Sequence, residues 1–308
     1  MNLFDRKLFN ISRFNILRIH FLDVGHGDST IIEHPSGRIT VIDLNETNYK
    51  SCILYIKALL TKRNNNIIHR YIQTHPDMDH MRGLYKLLEE FDILNFWDTR
   101  NTKTISSFTS YNDRLDWLAY WYFPEDKKRY YERGHSCLYL NEDNIEILSP
   151  SRFVTNNANY QQNHNNHSYI LRIAHGNFSI VLGGDAESSV WDDLADQGLL
   201  HKCTIFKAPH HGRDSGYSLK ALQYLRPQHI VTSVGKKPET DAHSKYSNYG
   251  QVYSTRYHGN IILEVDNFGV CKWDFEKNNP NFLEKHFKMA WDIRYKRLFG
   301  EHFQKGLV

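Results

Sequence analysis

A chain of 308 residues with 40% hydrophobic and 14% aromatic content can bury a sizeable core, which excludes a disordered or fibrous protein. Its net charge of +3 is compatible with a polyanionic partner but too small to indicate one. The four cysteines (Cys52, Cys137, Cys203, Cys271) are scattered without a C-x-x-C pair, so neither a zinc ribbon nor a disulfide framework is indicated and a reducing, cytoplasmic setting is expected.

Residues 1–15 read as an irregular lead-in without the uninterrupted apolar run of a signal peptide. No stretch reaches the roughly 20 apolar residues of a membrane span. Residues 16–21 alternate and are β-branched, which predicts a strand. Asp23-Val24-Gly25-His26-Gly27-Asp28-Ser29 follows as a glycine-rich loop. Strands are expected again over 30–34 and 38–43, joined by the turn signal Pro35-Ser36-Gly37, so this part reads as a β-meander. Residues 47–62 have the spacing of an amphipathic helix, and 67–73 read as a buried strand.

That strand runs into Thr74-His75-Pro76-Asp77-Met78-Asp79-His80, an H-x-D-x-D-H cluster, and Gly83 then opens a helical stretch. Alternate side chains of an extended segment project to one side, so His75, Asp77 and Asp79 can converge while His80 turns toward a second centre. Two divalent cations can share such a cluster if other loops add ligands. The plain alternative is an acidic surface loop capping a helix.

Residues 96–136 interleave aromatics such as Trp97, Trp117, Tyr120 and Trp121 with Lys103, Arg114, Lys127, Lys128 and Arg129. Such a segment can stack bases and hold phosphates, or pack its rings into the core. A strand is expected at 144–148, then a polar solvent loop over 155–168 in which His164 and His167 are candidate ligands. The strand at 178–182 runs into Gly183-Gly184-Asp185, where a carboxylate beside a glycine pair suits a bridging metal ligand or a helix N-cap. The strand at 203–207 ends in Pro209-His210-His211-Gly212, and His243 follows the strand at 229–234. Residues 252–255 and 260–265 read as a closing hairpin, and 281–305 as a terminal helix. Strand ends thus repeatedly carry His, Asp or Asn, ligand types for hard or borderline divalent ions.

These segments resemble the metallo-β-lactamase fold superfamily, and within it the branch containing the hydrolase domain of the bacterial competence DNA-uptake channel protein. The residues that carry the resemblance are Phe21-Leu22-Asp23-Val24-Gly25-His26-Gly27-Asp28-Ser29, the H-x-D-x-D-H at 75–80, Asn165 to Ser168, Leu182-Gly183-Gly184-Asp185, Pro209-His210-His211-Gly212, Ser233-Val234-Gly235 and His243. His26 stands where that branch usually has glutamine, and no transmembrane channel is expected here. The resemblance implies an α/β fold, the four-layer αβ/βα metallo-β-lactamase sandwich with a dinuclear site on one edge. We expect a single domain over 1–308, with its core at about 16–275, an aromatic/basic insertion at about 96–136 and a C-terminal helix at about 281–305.

Carried over residue by residue, the resemblance implies that His75 and Asp77 hold one metal, helped by His164. Asp79 and His80 would hold the second with one of His210 or His211, here taken as His210, and Asp185 would bridge both. Asp79 would also orient the nucleophile, leaving His211 and His243 to contact the scissile phosphate or protonate the leaving oxygen. A carboxylate at position 77, where many members have histidine, tilts the choice of ions from Zn²⁺ toward Mn²⁺. The expected activity is that of a metal-dependent hydrolase, foremost a phosphodiesterase or nuclease acting on DNA. The alternatives are a hydrolase of a small nucleotide phosphodiester or thioester, and a non-enzymatic interaction module. No membrane partner is expected.

Overall fold

The computed structural model of the protein describes residues 15–48, 50–235 and 241–287. Successive strand side chains point to opposite faces, and here both faces are apolar. Ile31 and Ile32, Val41 and Ile42, Tyr71 and Ile72, Phe96 and Trp97 each split between two buried clusters. The first member of each pair packs with Ile56 and Leu59 of the helix Cys52–Lys62, Leu84 and Leu87 of Leu84–Glu90, or Trp117 and Tyr120 of Tyr111–Trp121. The second member meets Leu171, Ile180, Ile205 and Val231 of another sheet. That sheet turns Val181, Phe206 and Ile230 outward onto Trp191 and Leu194 of Ser188–Asp196 and Leu222 of Leu219–Leu225. Helices, sheet, sheet and helices therefore stack as the four-layer αβ/βα sandwich of the metallo-β-lactamase fold.

The first sheet has eight strands in the order Cys271–Phe275, Ile261–Val265, Leu17–Phe21, Thr30–Glu33, Ile39–Ile42, Arg70–Ile72, Phe96–Trp97 and Lys128–Arg129. The second has six: Ile145–Ser149, Ile170–His175, Phe178–Leu182, Ile205–Lys207, His229–Thr232 and Gln251–Ser254. Pairing is parallel from Ile39–Ile42 to Lys128–Arg129 and from Phe178–Leu182 to Gln251–Ser254. Parallel strands need crossovers, so the loops after their C-terminal ends gather on one edge of the sandwich, where α/β folds place their sites. Asp43, the 75–80 cluster, Lys103, Asp185 and His211 all lie in such loops.

The structure corrects the expected loop at 155–168, which is the helix Arg152–Gln161 followed by a 3₁₀ turn at His164–His167. Ser151 caps that helix by accepting from the Val154 N–H, and Val154, Thr155 and Ala158 form a buried face that the many asparagines masked. The expected closing hairpin is also corrected. Gln251–Ser254 pairs with His229–Thr232 in the second sheet, whereas Ile261–Val265 pairs with Leu17–Phe21 in the first. In the aromatic segment Trp117, Tyr120 and Phe123 are core, while Tyr111, Trp121 and Tyr122 are exposed. The terminal helix is present as Phe282–Phe287; its expected continuation, like most of the lead-in, lies outside the described residues. Among the described residues no helix is long and apolar enough to cross a membrane.

Candidate metal centre

Asp43 follows Ile39–Ile42 in a left-handed conformation (φ 57°) and is fully buried. Its carboxylate accepts from the Thr74 N–H at 2.8 Å, the Thr74 hydroxyl at 2.6 Å and His80 Nδ1 at 2.7 Å. A carboxylate on Nδ1 fixes a neutral imidazole's tautomer and leaves the Nε2 lone pair free to bind a cation. The turn at His211 (φ 55°) lets that ring's Nδ1 donate to the Ser233 carbonyl at 3.0 Å, with the same consequence. The Nε2 atoms of His80 and His211 then face each other at 3.3 Å. Two imidazole lone pairs at that separation repel unless a proton or a cation lies between them.

Asp185 sits against this pair. Gly184 adopts φ +50°, and a Cβ there would lie 2.8 Å from the Ser168 Cβ and Oγ, so only glycine lets the Asp185 N–H reach Ser168 Oγ at 2.8 Å. The Asp185 carboxylate is 3.2 Å from His80 Nε2, 3.4 Å from His211 Nε2 and 3.9 Å from His75 Nε2. The Thr74 hydroxyl already donates to Asp43, so His75 Nδ1–H donates to Thr74 Oγ1 at 3.1 Å and presents Nε2 toward Asp185. His75 Nε2 is buried without a hydrogen-bond partner. Such atoms are rare in folded proteins and ask for an explanation. A divalent ion supplies one, since the donor set is imidazole and carboxylate. The ligand atoms of His75, His80 and Asp185 lie within 4.8 Å of one another, and so do those of His26, Asp79 and His211.

The expected site residues are therefore brought together unevenly. His75, Asp79, His80, Asp185 and His211 converge. His210 hydrogen-bonds through Nδ1 to Ser215 Oγ, and its Nε2 lies 3.8 Å from Asp185 Oδ2, outside both groups. Asp77 places Oδ2 3.8 Å from His75 Nε2, while its Oδ1 is ion-paired with Lys103. His164 is half-buried and stacks at 5.8 Å on His167, which is fully buried with both ring nitrogens unpartnered. His243 is in neither group. The Ala242 N–H donates to the Gly212 carbonyl, which sets that segment beside the His211 turn. The structure adds His26, Asp43 and Lys103. His26 was visible only as the odd residue in a glycine-flanked loop, where Gly27 lets the backbone touch Asp79: a Cβ at Gly27 would lie 2.5 Å from the Asp79 carbonyl oxygen.

No protein-family profile matches the chain. It is 24% identical over 226 residues to Recombination protein 2 of Haemophilus influenzae, covering 71% of this chain and 24% of that one. It is 22% identical over 286 residues to ComE operon protein 3 of Bacillus subtilis, covering 86% of this chain and 34% of that one. The chain thus spans about a quarter to a third of the curated relatives it matches. It resembles the competence-type branch of the metallo-β-lactamase fold. Among solved structures it is similar to the metallo-β-lactamase fold protein YhfI of Bacillus subtilis, with 10% identity and a TM-score of 0.47 over 81% of this chain and 99% of that one. It is also similar to CmlA, a diiron β-hydroxylase from Streptomyces venezuelae, with 11% identity and a TM-score of 0.40 over 89% of this chain and 51% of that one. The stacking of the two sheets carries the fold assignment independently of these overlays.

The electrostatics of the cluster are those of a site lacking positive charge. Burial opposes a charged His80, but the facing carboxylates of Asp185 and Asp43 outweigh it and raise its pKa well above the ordinary value. His211 is raised in the same way by Asp185 and Asp79. Burial would raise Asp79 and Asp185, but the surrounding histidines hold both well below the usual carboxylate range. Burial, His164 and His75 hold His167 down at about 4, so it presents a neutral ring. The metal-free cluster therefore binds extra protons on His80 and His211. Their stabilisation is complete below the unfolded pKa of about 6.5 and is lost as pH rises through the folded values. That of Asp79 and Asp185 is present above about 4 and is lost as pH falls. The metal-free protein is expected to be most stable between those limits. Divalent-ion affinity should climb steadily from pH 6 to 8.5, with protons released on binding. Calorimetric titrations in buffers of different protonation enthalpy measure that release; affinity independent of pH would contradict the shared-proton cluster.

Proposed function

We propose that the protein is a metal-dependent phosphodiester hydrolase whose substrate is nucleic acid, foremost DNA. The hydrolase reading is carried by the facing Nε2 atoms of His80 and His211 at 3.3 Å, beside Asp185 and the unpartnered His75 Nε2. In this reading His75, His80 and Asp185 hold one ion, with Asp77 and a histidine of the 164–167 turn at its side. Asp79, His211 and His26 hold the other. Bound ions of this kind supply a water of lowered pKa and polarise a phosphoryl oxygen.

The chain's own residues do the rest. Thr74 and Ser168 aim the His75 ring, Asp43 aims His80, and the Ser233 carbonyl aims His211. Asp79 lies on the open side of the cluster, with 29% of its side chain exposed, and its carboxylate orients the attacking water. His210 is held through Nδ1 by Ser215 and offers Nε2 at the rim, where it protonates the leaving oxygen. His243 contributes a rim contact to the phosphate. The carboxylate at Asp77 favours Mn²⁺ over Zn²⁺. The nucleic-acid reading draws on the name of the relative Recombination protein 2 and on the exposed Tyr111, Trp121 and Tyr122.

The test is a cleavage assay on single- and double-stranded DNA and RNA. It uses metal-stripped protein with Mn²⁺, Mg²⁺ or Zn²⁺ restored, and the Asp79→Ala variant as control. Metal-restored cutting of DNA by the wild type and none by the variant is the expected result. Two bound ions without cutting of any polymer would reject nucleic acid and redirect the search to small phosphodiesters and thioesters.

A further inference from the structure

Lys103 lies in a stretch whose other residues, 102 and 104–107, are exposed, yet its own side chain is only 14% exposed. Its ammonium ion-pairs with Asp77 Oδ1 and lies 5.2 Å from the centroid of the Phe108 ring. The backbone that carries it is tied down. The Thr102 N–H and hydroxyl both donate to Asn159 Oδ1 at 3.0 Å, Asn159 Nδ2 donates to the Arg100 carbonyl at 3.1 Å, and the Lys103 N–H donates to Asn101 Oδ1 at 3.1 Å. The same lysine charge acts on His164, whose other charged neighbour is Asp77. The ammonium therefore stands beside the side chains that would complete a cation position around His75, on the carboxylate whose other oxygen is 3.8 Å from His75 Nε2. At the opposite group Asp79 is faced by His26 and His211, and no lysine pairs with it among the described residues.

We propose that Lys103 is a built-in counter-cation for Asp77, so that a divalent ion beside His75 binds against the lysine's charge and loosens its hold on the carboxylate. The proposal rests on the metal-centre reading above. It makes the two cation positions unequal: the one at Asp79 and His211 fills first, and the one at His75 and Asp77 fills later. The aromatic/basic segment thereby sets metal occupancy through a single charge, whatever its exposed rings bind. Like charges brought together in a half-buried site repel strongly, and a divalent ion doubles the effect.

The experiment is a Mn²⁺ titration of the metal-stripped full chain by calorimetry, with bound ions counted by native mass spectrometry. It compares wild type, Lys103→Met and Lys103→Arg, with thermal melts to check folding. The wild type should bind one ion tightly and a second at least about tenfold more weakly, the low end of couplings between close charge pairs. Lys103→Met should tighten the weaker ion by about tenfold and leave the tighter one unchanged, whereas Lys103→Arg should keep the wild-type pattern. In the wild type, acetylation of the Lys103 amine should be slow without metal and faster once two ions are bound. Two ions bound by Lys103→Met with wild-type affinities, or acetylation unaffected by metal, would overturn the role of Lys103 alone. Failure of every form to bind any divalent ion would overturn the metal centre, and this proposal with it.

Discussion

Asp185→Asn is expected to abolish filling of the His75–His80–Asp185 position and to slow hydrolysis by roughly a thousandfold or more. That exceeds the 10–100-fold that partners of metal ligands usually cost. The reason is placement: Asp185 faces His75, His80 and His211 at 3.2 to 3.9 Å, whereas among the described residues Asp79 pairs with His26 at 3.8 Å and His211 at 3.3 Å. The amide keeps the volume, and the backbone N–H can still donate to Ser168, so the fold should persist. Without metal, the variant removes the negative charge that sustains protons on His80 and His211. It should then be less stable than wild type by up to about 3 kcal/mol below pH 6.5, the low end for breaking a buried pair. The deficit should shrink as pH rises, because those histidines then hold no proton in either protein. Metal content by mass spectrometry, turnover, and melts at pH 5.5 and 8 check each part. Two ions bound at wild-type affinity would remove Asp185 from the centre.

How much of this was legible in the sequence depends on the range over which each role is set. The H-x-D-x-D-H loop and Gly-Gly-Asp could be read because each follows an apolar strand, and the register of a strand fixes which way the next residues project. The four-layer fold was legible through the resemblance those motifs carry, and the strands that are apolar on both faces, as stacked layers require, appear in the structure. Roles that depend on a partner far along the chain were hidden. Asp43 looks like an ordinary strand-end carboxylate until Thr74 and His80 fold onto it. Lys103 is one of many basic residues until it meets Asp77. Which of two adjacent histidines points inward is decided by the left-handed backbone at both His210 and His211, which their identity does not reveal. The closing hairpin was misread because alternation marks a strand but not which of two sheets receives it.

Asp43 offers the sharpest separation of fold from function. Asp43→Ala removes the acceptor of the Thr74 N–H, the Thr74 hydroxyl and His80 Nδ1, all buried. Each stranded donor costs about 1–3 kcal/mol, and alanine at φ 57° adds about 1 kcal/mol of backbone strain. That variant should lose several kcal/mol of stability together with metal. Asp43→Asn is the informative change, because asparagine tolerates the left-handed backbone and its amide oxygen still serves the Thr74 N–H. Its NH₂, however, now faces His80 Nδ1, which must accept rather than donate. The ring proton is thereby driven to Nε2, where it points at His211 and blocks the lone pair that would hold an ion. Asp43→Asn should therefore melt close to wild type while binding divalent ions about 10–100-fold more weakly, the usual effect of losing a carboxylate behind a ligand histidine. At a pH high enough to leave His80 neutral, nitrogen NMR should show its ring proton moved from Nδ1 to Nε2. Wild-type metal affinity in Asp43→Asn, with the proton still on Nδ1, would mean that the ring is oriented by packing and that Asp43 serves the fold alone.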